Sequence, residues 1–288
     1  MEDNVSLTAA CQSERVVCVY CFDPRNFEND LYGFPRTGKF RAQFLLETVS
    51  ALKQALSALH IPLFISLDLP EKAIPKLAKR FGVTEIHTQK EWTRDERQVA
   101  LSLLKALPED TKVFGHYDQF LFHPRDIPFS DFSQIPGVFT LFRKACEKTL
   151  PVRECLPIPE KRSASGWAVP EGEIPTLQQL ELESPPNDPR SAFPFHGGTP
   201  EGLRRINSYF WEQNRLRYYK KTRNGLLGTD YSSKFSPWLA NGSLSARMIY
   251  HQVRRYEKEV VKNQDTYWMI FELIWRDYFK YVSLKHGD

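Results

Sequence analysis

Between Arg223 and Ser236 the chain gathers residues able to hold an anion. Asn224-Gly225 and Leu227-Gly228 offer turn geometry that most residues tolerate poorly. Ser232-Ser233-Lys234-Phe235-Ser236 then places hydroxyls, backbone N–H groups and one cation just before an apolar segment. Converging N–H groups with a lysine make a phosphate cradle. A serine-rich turn with a solvated lysine has the same composition, so residue types alone leave both readings open. A second constellation lies in "TYWMIFELIWRDYF", where Glu272 and Arg276 stand four apart among Trp268, Trp275 and Phe279. One reading is an intrahelical ion pair, worth a few tenths of a kcal/mol. The other is a polar pair lining a binding cavity, because charges among aromatics need partners or ligands. Cys18 and Cys21 form a CxxC inside a strand-like run with no second ligand pair. Reduced, buried thiols in an intracellular protein are expected there, and no metal.

The elements that must position these residues fall into three stretches. From 1 to 125, "RVVCVYCF", "IPLFISLD", "VTEIHTQ" and "TKVFGHYD" alternate with helical patterns, such as Phe44, Leu45, Thr48, Val49, Leu52, Leu56 and Leu59 near 3.6 spacing. That rhythm predicts an α/β, doubly wound parallel sheet, with ligands at the carboxyl ends of its strands. No GxGxxG follows the first strand. From 126 to 198 the chain is rich in Pro, Ser and Glu and reads as a long connector. From 199 to 288 it is wholly helical in pattern: 200–222, then "SARMIYHQVRRYEKEVVK", then "DTYWMIFELIWRDYFKYVSLKH", which is apolar on two faces and so expected to be buried.

At 288 residues the chain can bury a sizeable core, and no apolar run nears the roughly 20 residues a membrane helix needs. "MEDNVSLTAACQSE" has neither the basic nor the apolar region of a secretory signal. The net charge of +4 is uneven: from Thr199 onward 16 Lys/Arg face 9 Asp/Glu, +7, leaving −3 for the remainder. A basic C-terminal segment suits a polyanion partner, although basic helical faces are often merely solvated.

"YYKKTRNGLLGTDYSSKFSPWLANGSLSARMIY" followed by "TYWMIFELIWRDYF" resembles the flavin-binding half of the photolyase/cryptochrome family, specifically its cryptochrome DASH branch. "YCFDPRNF", "FPRTGKFRAQFLLE" and "SAFPFHGG" are similar to that branch's N-terminal domain and connector. The resemblance implies a Rossmann-like α/β domain followed by an all-α FAD-binding domain. It implies FAD phosphates held by Tyr219 and by Ser232, Ser233, Lys234, Phe235 and Ser236, with Met269 and Arg276 also at the cofactor. Glu272, Trp275 and Arg276 match the flavin and lesion cavity, Glu272 and Trp275 as catalytic positions. Arg223 matches a DNA contact, and Lys220, Lys221, Arg254 and Arg255 are expected to add phosphate contacts. A methenyltetrahydrofolate antenna is implied, with Glu91 as its contact.

Departures are Ser233 for the usual Thr, Ser243 for Cys, Ala246 for Pro and Thr199 for Glu. Set against the family, the chain reads as starting after the first strand and stopping within the helical domain. The sheet is therefore expected to lack its first strand and the FAD domain to be incomplete. The activity implied for the whole protein is blue-light-driven repair of cyclobutane pyrimidine dimers in single-stranded DNA, by a monomer. This span alone is expected to be inactive. A non-catalytic photoreceptor or DNA- or RNA-binding regulator shares these motifs. A relative of electron-transfer flavoproteins or universal stress proteins would need a phosphate loop in the first stretch, which is not visible there.

Overall fold

A computed structural model describes residues 1–163 and 169–287. The N-terminal part runs α1 (Val5–Ala10), β1 (Cys18–Cys21), α2 (Lys39–Ala58), β2 (Leu63–Ser66), α3 (Pro70–Phe81), β3 (Glu85–Gln89), α4 (Arg94–Ala106) and β4 (Lys112–His116). Helix α2 buries Ala42, Val49 and Leu56, a seven-residue stripe that places two helical turns on one line against the strands. Helix α3 ends where Gly82 takes the left-handed conformation at φ 59°.

The α/β fold class holds, with every strand pairing parallel. The strands nonetheless form two separate pairs. Strand β1 pairs with β2, Cys18 opposite Leu63, and β3 pairs with β4, Glu85 opposite Lys112. A small core of Val16, Phe22, Val49, Leu56, Ile61, Leu63 and Ile65 sits on the first pair. The second pair has no such core: α4 buries no residue, and Leu101 and Leu104 on it are about half exposed.

The stretch expected as a connector, 126–198, is not wholly irregular; its residues 164–168 lie outside the described ones. Helix α5 (Phe139–Thr149) buries Phe139, Phe142 and Cys146 in the main core. Farther on, Glu171 and Gly172 run along the outer edge of β2, where the Ile65 N–H donates to the Glu171 carbonyl at 2.6 Å. An added Cβ on Gly172 would fall 2.1 Å from the Ile65 carbonyl oxygen, and its φ is 70°, so only glycine fits this approach.

The helical part contains α6 (Thr199–Asn207), α7 (Tyr219–Thr222), α8 (Ser236–Ala240), α9 (Ala246–Glu259) and α10 (Gln264–His286). The single helix expected over 200–222 is broken. After α6 comes a π turn at Ser208–Glu212, Asn214 takes φ 53°, and a 3-10 turn at Leu216–Tyr218 leads into α7. Left-handed Asn214 cannot continue a right-handed helix, and the Tyr256 hydroxyl donates to its side-chain oxygen. Helix α9 starts at Ser245, whose Oγ accepts the Met248 N–H at 3.0 Å. A capping box between Asn263 and Thr266 starts α10. That helix runs through the large aromatic core, with Met269, Ile270, Leu273, Ile274, Tyr278 and Tyr281 buried.

Two buried carboxylates join the parts. Asp277 on α10 accepts the Leu121 and Phe122 N–H groups at 3.0 and 2.8 Å. Asp3 accepts from Nε of Arg247 on α9 at 2.9 Å and from the Leu156 N–H at 3.2 Å through its carboxylate, and its own N–H donates to the Leu156 carbonyl at 2.8 Å.

Candidate functional site

The 229–236 loop is shaped by a residue three elements away in sequence. Arg205, on α6 and 4% exposed, donates through Nε to the Ser233 carbonyl at 3.0 Å. Its Nη2 reaches the Thr229 and Ser232 carbonyls at 3.1 and 2.9 Å, and its Nη1 the Asp230 carboxylate at 2.7 Å. The rings of Phe195 and Tyr209 lie 4.8 and 4.9 Å from the guanidinium carbon. Five fixed donors suit an arginine to this task and no other side chain. The ion pair with Arg205 and the Thr229 side chain hold the Asp230 carboxyl below the usual range, against the opposing effect of burial.

With its carbonyls drawn toward Arg205, the loop has N–H groups to spare. Among the described residues no acceptor meets the amides of Ser232, Ser233, Lys234 or Phe235. Lys234 takes φ 63° and Phe235 the right-handed α conformation, an alternation that makes successive N–H groups converge on one concavity. The Lys234 ammonium lies 3.5 Å from the Tyr231 ring centroid. Phe235 anchors the turn in the core beside Phe210, Ser233 is buried, and Ser236 is exposed at the start of α8. Tyr219 is buried, with Ser233 and Glu272 near its hydroxyl; burial raises the pKa of that hydroxyl and Glu272 raises it further. Met269 is only 2% exposed and packs in the core.

Next to this loop sits a cationic and aromatic cluster. Lys220 and Arg223 both lie over the Trp268 ring, at 4.3 and 5.7 Å, and Arg223 pairs with Glu272 at 3.1 Å. Among the described residues, Arg223 Nε and Trp268 Nε1 are buried donors without an acceptor. Two unmet donors side by side favour an acceptor-rich ligand over a closed structural cluster. Lys221, exposed, adds charge, and its backbone N–H donates to Asp265 at 3.2 Å.

The helix-internal pairing of Glu272 with Arg276 does not form. Glu272 turns to Arg223, while Arg276 donates to the Gln119 and Leu239 carbonyls at 2.7 and 3.1 Å. A guanidinium beside two open carbonyls satisfies its fixed donors better than it would on a partly exposed carboxylate one turn away. Trp275 is not an open platform either: it stacks on Phe139 at 3.6 Å and on Phe279 at 5.4 Å. Arg254 and Arg255 pair along α9 with Glu257 and Glu259 at 2.7 and 2.9 Å.

Glu91 follows β3 and accepts from the Gln89 side chain. Desolvation raises its carboxyl above the usual range, partly offset by Gln89 and by Lys280. Burial brings the Lys280 ammonium down to about 8, and it lies 5.3 Å from the Trp92 ring. Cys18 and Cys21 are free thiols, only partly buried rather than buried as expected, and desolvation raises them to about 12 and about 11.

Sequence reasoning missed Arg205 and Asp277. Neither "RR" in α6 nor the aspartate after Arg276 carries a local signal of burial, and only the fold buries Arg205 and Asp277.

Comparison with known proteins bears on this geometry. Residues 1–162 match the DNA photolyase family profile. A cryptochrome DASH from Gloeobacter violaceus is 46% identical over 290 residues, covering 100% of this chain and 58% of that protein. One from Danio rerio is 42% identical over 290 residues, covering 100% of this chain and 56% of its own length. The crystal structure of a Synechocystis cryptochrome superposes with a TM-score of 0.92 at 39% identity, over 99% of this chain and 59% of that one. An archaeal photolyase from Sulfolobus tokodaii, solved with two FAD molecules, shares the fold at 22% identity, with a TM-score of 0.69 over 99% of this chain and 57% of that one. The chain thus spans a little over half the length of the curated relatives it matches.

Proposed function

From the premise that this chain belongs to the DNA photolyase family, with its curated relatives in the cryptochrome DASH branch, we propose that it carries the phosphate-anchoring side of an FAD site and an adjoining DNA-facing surface. The observation that carries the reading is the run of four unmet amides from Ser232 to Phe235, closed by Lys234 and shaped by Arg205. These groups fit a diphosphate: the amides donate to its oxygens, and the lysine offsets its charge.

For the whole protein we propose blue-light-driven repair of pyrimidine dimers in single-stranded DNA, acting as an intracellular monomer. Bound and reduced FAD would supply the light-excited electron. The chain's own residues bind and orient. Tyr219 and the Ser232–Ser236 turn hold the phosphate end, with Met269 and Arg276 in the helix beneath. Arg223, Lys220 and Lys221 meet DNA phosphates. Glu272 offers a carboxylate to the bases, and Trp275 an aromatic edge. Glu91, beside Lys280, is the proposed contact of a methenyltetrahydrofolate antenna. The engaged ring of Trp275 favours a second reading, in which the surface binds nucleic acid without repairing it.

Flavin titration followed by fluorescence tests the cradle. FAD is expected to bind wild type and to bind Lys234→Ala about tenfold more weakly, the effect of losing one charge-assisted contact. Equal affinity for the two proteins would overturn the assignment. Blue-light repair of a dimer-containing oligonucleotide by the longer protein separates the enzyme from the second reading.

A further inference from the structure

Leu226 and Leu227 stand 84% and 91% exposed at the tip of a turn that is otherwise tied down. The Gly225 N–H donates to the Thr222 carbonyl at 2.8 Å, and the Thr222 hydroxyl donates back to the Tyr218 carbonyl at 3.3 Å. A Cβ added at Gly225 would fall 2.9 Å from the Tyr231 Cβ, so the backbone lies close against that side chain. Gly228 then turns the chain back at φ 77°. Single exposed leucines are ordinary on a surface, whereas two in succession on a held tip leave an apolar knob facing water. The knob stands in a basic field. From Arg215 to Thr229 the chain carries five Lys/Arg and no Asp/Glu. Of the carboxylates around that segment, Asp230 is held by Arg205, Glu272 by Arg223 and Asp265 by the Lys221 N–H. Arg223, three residues before the tip, and Trp268 beside it keep the two unmet donors described above. A second exposed apolar turn, with Leu31 and Tyr32, lacks this setting: Glu28 and Asp30 stand exposed in it, and Arg36 and Lys39 are paired with Asp95 and Glu183.

We infer that Leu226 and Leu227 form an apolar wedge that enters between neighbouring bases of a single-stranded DNA whose phosphates lie on Lys220, Lys221 and Arg223. This wedge presupposes the DNA-facing surface proposed above and adds to it a contact with the bases. The basic run draws an anionic backbone, but a phosphate offers leucine nothing. The faces of the bases do, and aliphatic side chains placed between base steps unstack them. Single strands cost least to open, since no base pairing is lost. Three residues separate Arg223 from Leu226, a reach of at most about 11 Å. That is about three steps of a stacked strand at roughly 3.4 Å each, so phosphate and base contacts fall on one short stretch. Because the turn is already held, the leucines bind without the cost of ordering a loop. Their contribution is apolar, so it changes affinity and leaves the salt dependence, which counts neutralised phosphates, as it was.

The test uses the 288-residue chain and a short single-stranded oligonucleotide with one 2-aminopurine among thymines, whose emission rises when its neighbours unstack. Wild type is expected to bind it and raise the emission. Leu226→Ser with Leu227→Ser should bind about tenfold more weakly, the order of one lost base contact, with the same log–log salt slope and little rise in emission. Leu226→Met with Leu227→Met, which keeps the apolar bulk, should restore both. The two leucines lie on the surface, so flavin affinity and thermal unfolding should match wild type in either variant. Equal affinity for wild type and the serine variant, or no rise in emission on binding wild type, would sink the wedge and leave the phosphate contacts standing. Weaker binding with a flatter salt slope would sink it too, because the substitutions would then have displaced the basic residues. If wild type binds no oligonucleotide, the DNA-facing surface fails along with the wedge. A dimer in sedimentation that the serine variant loses would assign the leucines to a second copy of the chain and exclude the wedge.

Discussion

The guanidinium of Arg223 lies 3.1 Å from the carboxylate of Glu272, each side chain a little under one-third exposed. Such a pair contributes about 0–1 kcal/mol to stability, so its effect is on the field of the surface. Glu272→Gln leaves Arg223 unopposed and is expected to tighten single-stranded oligonucleotide binding and steepen its salt dependence. Arg223→Ala should weaken binding and reduce the log–log salt slope by about 0.7. Filter binding across a salt series decides the matter, and an identical slope for all three proteins contradicts the assignment.

Arg205 holds one carboxylate and three carbonyls of the loop, so Arg205→Met strands Asp230 and undoes the turn. Breaking a buried pair costs about 3–5 kcal/mol, less here because Asp230 can turn to water. Urea denaturation should show a loss of about 2–4 kcal/mol, and flavin affinity should fall with it. Arg205→Lys, with three donors and no fork, should rescue less than half of the stability.

Asp277 should make stability depend on pH. Burial raises its carboxyl from 3.8 to about 6, against two backbone N–H donors and Arg276, which act the other way. A raised pKa means that the folded chain prefers the protonated form. The contribution is thus fully present below about pH 4 and lost as pH rises through 6. The shift corresponds to roughly 3 kcal/mol. Asp277→Asn, neutral throughout, should therefore gain on wild type by about that amount between pH 4 and pH 7.5. Parallel stability curves would show that Asp277 does not titrate in this way.

Asp3 ties the first residues to α9 through Arg247, whose Nη2 lies 2.8 Å from Oδ1 in a site closed to water. Asp3→Ala leaves that guanidinium buried and unpaired, and should cost about 3–5 kcal/mol. Replacing both, as Asp3→Leu with Arg247→Met, should restore most of it. A double variant no more stable than the single one would show that the Leu156 contacts, not the ion pair, make this junction.

Exchange in the chain should be uneven before any ligand is added. Strands β3 and β4 have few buried side chains, whereas α9 and α10 lie in the main core. Amides of Ile86 and Thr88 should open with much less free energy than those of Leu273 and Ile274, as native-state hydrogen exchange would show.

Much of this was written in the sequence because it depends on local periodicity. The strands at 18–21, 63–66, 85–89 and 112–116, and helices α2, α4, α9 and α10, follow from spacing, caps and β-branched runs that act over a few residues. The candidate cradle was legible for the same reason, as glycines, serines and a lysine are contiguous. Its geometry was not. Whether Ser232–Phe235 free their amides depends on Arg205 reaching across 24 to 28 positions, and no local pattern encodes that reach. The partner of Glu272 was equally hidden: spacing puts Arg276 one turn away, but packing delivers Arg223 to the carboxylate and the carbonyls of Gln119 and Leu239 to Arg276. Side-chain type and interval set which elements form. Which charged group meets which is settled by desolvation and fixed donor geometry, and these exist only once distant segments have packed.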